Sequence, residues 1–317
     1  MPSTAPSTVA RHFLSILDFT PVELRDTLDL ATKLKSDRRL GTKAPTAQAL
    51  GGRHVGLLFE KPSLRTRVTF TIGVRELGAD IVAIPADVMH ADREPIDDVA
   101  RNLERWIDAV VIRTFGQDRL HEITKATPRL SVINALSNEE HPCQALSDMQ
   151  TLVERWKGKP EGRRIAFIGD GNNVCTSLVH AAMMLGVSVH VATPKGYELP
   201  DEVVDQAAEI SQHGAGLTEF TDPKAAARDV DAIYTDVWTS MGQEVEYAER
   251  SRKFMRYQVN AALMALARPD AVFMHCLPAH RGEEVTDEVI ESPASVVFDQ
   301  AENRLHAQKA MLVRLLT

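Results

Sequence analysis

Short runs dominated by apolar residues, each followed by a helical pattern, constrain this chain more than any other feature. Residues 54–59, 81–84, 108–113 and 130–134 are such runs in the first half. In the second half they fall at 163–168, 187–192, 231–235, 271–275 and 295–298, with a more mixed run at 217–220. Between them lie helical patterns at 64–77, 95–106, 117–126 and 142–156. Further ones follow at 174–185, 200–213, 223–229, 246–267 with a break, and 285–291. A strand that does not alternate apolar with polar residues has both faces covered. Strands and helices in alternation then predict an α/β protein built from parallel sheets covered by helices. At 317 residues the chain is long enough for two domains. Before the first strand, Leu24, Leu28, Ala31 and Leu34 recur at helical spacing behind Pro21. The polar stretch 156–162, with two glycines and a proline, reads as the main linker. Segment 301–316 is helical and is expected to return to the first domain.

Apolar residues make up 44% of the chain and the formal net charge is -8. That sign argues against nucleic acid or an anionic membrane as the main partner, while leaving room for a local cationic cluster. No apolar run is long enough to span a bilayer. Residues 1–9 are rich in Ser, Thr, Ala and Pro and have neither a basic nor an apolar block, so they do not read as a secretory signal. Cys143, Cys175 and Cys276 form no CxxC pair, which fits a reducing cytoplasm.

The chemistry concentrates where strands end. Glu60-Lys-Pro-Ser-Leu-Arg-Thr-Arg67 follows the first strand and opens a helix, with Ser63 placed to cap it. Arg65 and Arg67 at a helix N-terminus set cations against the positive end of the helix dipole. A bound anion resolves that conflict, because free N–H groups, hydroxyls and guanidinium groups together form a phosphate site. An ordinary solvated helix start, its arginines paired to acids, is the plain alternative. Gly169-Asp-Gly-Asn-Asn173 lies between a strand and a helix, where open α/β sheets bind ligands. Val174 stands where a dinucleotide fingerprint needs its third glycine, which disfavours a dehydrogenase. Asn172 or Asn173 is also a candidate helix cap. His141 and Gln144 are three apart and suited to converge on one ligand. No second and third metal ligand accompany His141 at sensible spacing, so no metal site is expected. Asp236 beside Ser240 suits an ammonium group, and Met241 an aliphatic chain.

Five of these stretches, in order, carry a resemblance. They are Ser63-Leu-Arg-Thr-Arg67, His141-Pro-Cys-Gln144, Gly169-Asp-Gly-Asn-Asn173, Asp236-Val-Trp-Thr-Ser-Met-Gly242 and His275-Cys-Leu-Pro278. Together they resemble the aspartate/ornithine carbamoyltransferase family, over about residue 13 to the C-terminus. Asp-x-x-x-Ser-Met-Gly and the cysteine at 276 resemble its ornithine-specific members; aspartate-specific ones have proline at that position. The resemblance implies a carbamoyl-phosphate-binding domain of residues 1–144 and 301–317, and an ornithine-binding domain of residues 145–300. It implies transfer of the carbamoyl group from carbamoyl phosphate to the side-chain amine of L-ornithine, within arginine biosynthesis.

Residue by residue, the resemblance gives carbamoyl phosphate to Ser63, Leu64, Arg65, Thr66, Arg113, His141, Gln144, Cys276, Leu277 and Arg304. It gives ornithine to Asn172, Asp236, Ser240 and Met241, and the chemistry to Arg65, Arg113, His141, Asp236 and Cys276. Leu64 replaces a more frequent threonine, so one hydroxyl is lost from the phosphate loop. The family assembles as trimers or as assemblies of trimers, and Met89 or His90 is the residue expected to reach a neighbouring subunit's site. No cofactor is implied. Competing readings are a carbamoyltransferase for putrescine or a modified ornithine, and a non-catalytic amino-acid or anion-binding protein.

Overall fold

The structure, a computed structural model, describes residues 9–89, 94–239 and 244–317. The chain divides into two units, one of Met1–Phe19, Asp26–Cys143 and Arg304–Thr317, the other of Thr20–Arg25 and Gln144–Asn303.

The first unit is built on β1 (His54–Phe59), β2 (Asp80–Ile84), β3 (Ala109–Arg113) and β4 (Ser131–Leu136). They form one sheet in the order β2-β1-β3-β4, every neighbouring pair parallel. β3 is buried at every position and β1 at all but its first, as their apolar sequences require. The greater part of α1 (Pro21–Asp37), with α2 (Leu64–Glu76), α3 (Ile96–Trp106), α4 (Gln117–Ala126) and the start of α5 (Pro142–Arg155), accompanies these strands. Val99, Ala100 and Leu103 of α3 pack with Leu120 and Ile123 of α4 against Val110, Ile112 and Val132 of the sheet. Each buried Leu, Ile or Val there contributes roughly 1.5–3 kcal/mol relative to exposure.

The second unit holds β5 (Arg164–Ile168), β6 (Ser188–Ala192), β7 (Leu217–Phe220), β8 (Ala232–Thr235) and β9 (Val272–His275). Their order is β7-β6-β5-β8-β9, again all parallel. The sheet order reverses at β5, so the crevice beyond β5 and β8 is where such a fold binds ligands. Its helices are α6 (Asn173–Met184), α7 (Asp201–Ile210), α8 (Pro223–Ala226), α9 (Tyr247–Phe254), α10 (Ala261–Met264) and α11 (Asp287–Ile290).

The final helix, α12 (Val297–Leu316), begins in the second unit and ends in the first. There it packs on α2. A Cβ at Gly73 would come within 3.0 Å of the Lys309 side chain, so glycine permits the approach. Lys309 Nζ then reaches Glu76 at 2.8 Å.

One expectation is corrected. Residues 295–298 are not a strand; Ser295 makes one isolated bridge to Phe273, and α12 starts at Val297. The two units divide inside α5, at Cys143/Gln144, and 156–162 is a turn within the second unit. Trp156 there is buried, and Gly162 donates to the Gly186 carbonyl, so the segment is tied down despite its linker-like composition.

Candidate active site

In the first unit, polar side chains gather at the C-terminal ends of β1 and β3. Ser63 occupies the N-cap position of α2 in extended conformation, and its hydroxyl makes no capping bond. No acidic residue lies in the first turn of α2, where Arg65 sits against the positive end of the helix dipole. Thr66 is buried, and its hydroxyl accepts from Arg304 Nη2 at 2.6 Å. Arg113 ends β3 opposite Phe59 of β1, and the register with β4 shifts at that residue. The Arg67 guanidinium lies over the Phe59 ring at 4.6 Å, a cation–π contact. Leu64 is exposed.

His141 precedes α5 and is 4% exposed. Its basicity is pushed well below the ordinary 6.5, first by burial and then by the guanidinium groups of Arg304, Arg113 and Arg65. Three arginines drawn from α12, β3 and α2 thus act on one neutral imidazole. Like charges so gathered repel one another, and an anion among them relieves the repulsion. Nearby Cys143 is a buried thiol pushed up to about 12 by desolvation, and it donates to the Asn134 carbonyl. It is therefore no nucleophile at neutral pH.

In the second unit the centre is Asp236, immediately after β8 and 6% exposed. Its Oδ1 accepts from the Val237 N–H at 2.8 Å and from the Cys276 thiol at 2.9 Å. Its Oδ2 accepts from Asn172 Nδ2 at 2.9 Å. Asn172 has a second task. Its Oδ1 accepts from the N–H groups of Val174 and Cys175, so it is also the N-cap of α6. Gly171 is required for a different reason from that of a dinucleotide loop. A Cβ there would lie 2.6–2.7 Å from the Glu198–Leu199 backbone.

Leu277 has φ +58 and is joined to Pro278 by a cis peptide bond. Its N–H donates to His275 Nδ1 at 2.8 Å, while His275 Nε2 meets Glu284 Oε1 at 3.2 Å. The acceptor role of Nδ1 places the proton on Nε2. Gln144 is buried, and its Nε2 donates to Asp148 Oδ1 at 2.8 Å.

Sequence reasoning missed Asp148, Glu284, Asp170 and Arg250. Asp148 was within reach, since it lies one helical turn after Gln144. Asp170 forms an ion pair with Arg250, yet burial outweighs that attraction and pushes its carboxyl up to about 6. The Asp170–Arg250 separation of 80 residues is what hid the pair. Met89 is buried at 3% exposure within the core around α3 and α4. His90, Ser240 and Met241 lie outside the described residues.

Among the described residues, Asp236, His275 and Cys276 bring three potential metal ligands together, as do His280, Glu283 and Glu284. In the first group the ligand atoms are engaged in the hydrogen bonds given above.

Two family models match the chain. Residues 11–154 match the aspartate/ornithine carbamoyltransferase carbamoyl-P binding domain, and residues 161–315 the Asp/Orn binding domain. The ornithine carbamoyltransferase of Acidothermus cellulolyticus is 50% identical over 309 residues, covering 96% of each chain. The solved structure of ornithine carbamoyltransferase from Pyrococcus furiosus superposes with a TM-score of 0.91 at 44% identity, over 98% of this chain and 99% of that one. That of the Thermus thermophilus enzyme gives 0.86 at 42% identity, over 99% and 100%. With both halves matched and 42–50% identity to such relatives over nearly its whole length, this chain belongs to the ornithine carbamoyltransferases of the aspartate/ornithine carbamoyltransferase family.

Proposed function

We propose that the chain transfers the carbamoyl group of carbamoyl phosphate to the side-chain amine of L-ornithine, giving L-citrulline and phosphate. The observation that carries this is the gathering of Arg65, Arg113 and Arg304 about a neutral, buried His141, with Thr66 held by Arg304. Ser63, the Leu64 N–H, Arg65 and Thr66 hold the phosphate, joined by Arg113 and Arg304. His141 donates to the carbamoyl oxygen; Gln144 and the Cys276–Leu277 segment take the carbamoyl nitrogen. Ornithine is held through Asn172, Asp236, Ser240 and Met241.

The amine nitrogen attacks the carbamoyl carbon, and negative charge develops on its oxygen. Arg65, Thr66, Arg113 and His141 stabilise that charge. His141 serves because it is neutral and still carries one donor N–H. The tetrahedral intermediate then breaks its bond to the phosphate oxygen, and phosphate leaves as the amine loses its proton. An ammonium group titrating near 10.4 costs about 4–5 kcal/mol to deprotonate at neutral pH. Holding nucleophile and carbon together offsets part of that. Asp236 stays an acceptor for the α-ammonium group, and the thiol of Cys276 positions rather than attacks. This chemistry calls on no organic cofactor.

A trimer or assembly of trimers, a cytoplasmic location and a place in arginine biosynthesis belong to the same proposal. No described helix is long and apolar enough to cross a membrane. The test is product formation from carbamoyl phosphate and L-ornithine, with one phosphate released per citrulline. Carbamoyl phosphate consumption without citrulline would refute the reading.

A further inference from the structure

Asp148 is fully buried on α5, and three side chains converge on it. Gln144 Nε2 and Gln300 Nε2 both donate to Oδ1, at 2.8 and 2.7 Å. The Tyr234 hydroxyl donates to Oδ2 at 3.1 Å. Gln300 also donates to the Tyr234 oxygen at 3.1 Å, which closes a ring of contacts. A carboxylate only accepts, so it dictates which end of an amide faces it. With Nε2 of Gln144 bound to Asp148, the amide's carbonyl oxygen is the end turned away. Gln300 obeys the same rule: its Nε2 faces Asp148, and its Oε1 accepts from the His275 N–H at 3.1 Å. Tyr234 and Gln300 come from β8 and α12, so Asp148 is held from several sides and does not swing away from Gln144.

We propose that Asp148 is a positioning residue for carbamoyl transfer, fixing the Gln144 amide so that its oxygen accepts from the carbamoyl NH2 group. This rests on the reading of Gln144 as a carbamoyl ligand. An amide at 148 offers a donor as well as an acceptor, so it lets Gln144 turn its NH2 end toward another NH2 group. The mismatch is felt only through Gln144.

The test is a double-mutant cycle with Asp148→Asn, Gln144→Ala and the pair. Asp148→Asn alone is expected to lower kcat/KM for carbamoyl phosphate at least tenfold, with binding of inorganic phosphate changed less than twofold by calorimetry. In the Gln144→Ala background the same change is expected to lower it less than twofold further. A multiplicative effect in the pair, or Asp148→Asn within twofold of wild type, overturns the proposal. If Asp148→Asn does not fold, Tyr234→Phe decides. It removes one donor to Oδ2, and a fall of threefold or more that vanishes in the Gln144→Ala background supports the proposal. Unchanged activity in Tyr234→Phe overturns it. Wild-type protein that makes no citrulline refutes the functional reading itself, a result distinct from all of these.

Discussion

Replacing Asp236 with asparagine changes one oxygen to an NH2 group and nothing else in size, yet the surroundings leave that group no good orientation. At the Oδ2 position the new NH2 meets Asn172 Nδ2, itself a donor 2.9 Å away. At the Oδ1 position it meets the Val237 N–H and the Cys276 thiol. Asn172 has no easy way to turn over in response, because its oxygen caps α6 through Val174 and Cys175. At least one buried donor therefore loses its acceptor, which costs about 1–3 kcal/mol of stability. The carboxylate's charge is lost as well, and with it the proposed partner of the ornithine α-ammonium group. At about 2–3 kcal/mol for a charge-assisted bond, kcat/KM for ornithine falls by roughly 30–150-fold. Thermal denaturation reads the first effect and steady-state citrulline production the second. Putrescine has no α-ammonium group, so its kcat/KM falls less and the gap between the amines narrows. A folded Asp236→Asn variant with ornithine kcat/KM within threefold of wild type would refute the reasoning.

Other outcomes follow from the same geometry. Arg65→Ala removes a guanidinium from the cluster about His141 and is expected to cost about 2–5 kcal/mol in kcat/KM, with circular dichroism unchanged; near-normal turnover and carbamoyl-phosphate binding would exclude it from the site. His306 on α12 is lowered from 6.5 to about 4, chiefly by burial and then by Lys309, Lys35 and Arg38. The unfolded chain therefore takes up that proton first, so stability present above pH 6.5 is lost as pH falls toward 4, by about 3 kcal/mol. His306→Gln is expected to flatten that part of the stability–pH curve, and an unaltered slope would contradict it. Sedimentation equilibrium is expected to show a trimer or a multiple of it, against an active monomer as the contrary result.

What the sequence disclosed depended on whether the signal was local. The strand and helix alternation marked the parallel sheets, since unbroken apolar runs such as Ala109–Ile112 are buried at every position. Loops at strand ends were legible because Ser63, Arg65 and His141 sit beside turns and helix starts, where spacing has meaning. Composition alone pointed to the Gly- and Pro-containing stretch 156–162, a turn after α5, whereas the two units divide within that continuous helix. The run 295–298 was misread because four residues of mixed apolar character suit a strand and a helix start equally. Asn172 needed the structure, since only there does one amide cap α6 through its oxygen and hold Asp236 through its nitrogen. The Asp148–Gln300 contact joins residues 152 apart, beyond any periodicity.

The most direct measurement is kcat/KM of the wild-type protein for L-ornithine and for putrescine, with carbamoyl phosphate saturating and the product identified. Both molecules offer the same primary amine, so only the α-carboxylate and α-ammonium groups separate them. Each protein group left without its partner costs about 1–3 kcal/mol, so two such groups amount to roughly 3 kcal/mol. A preference for ornithine of about 100-fold or more, with citrulline as product, is the expected result. Equal use of the two amines, or a preference for putrescine, would contradict the assignment of Asn172 and Asp236 to ornithine.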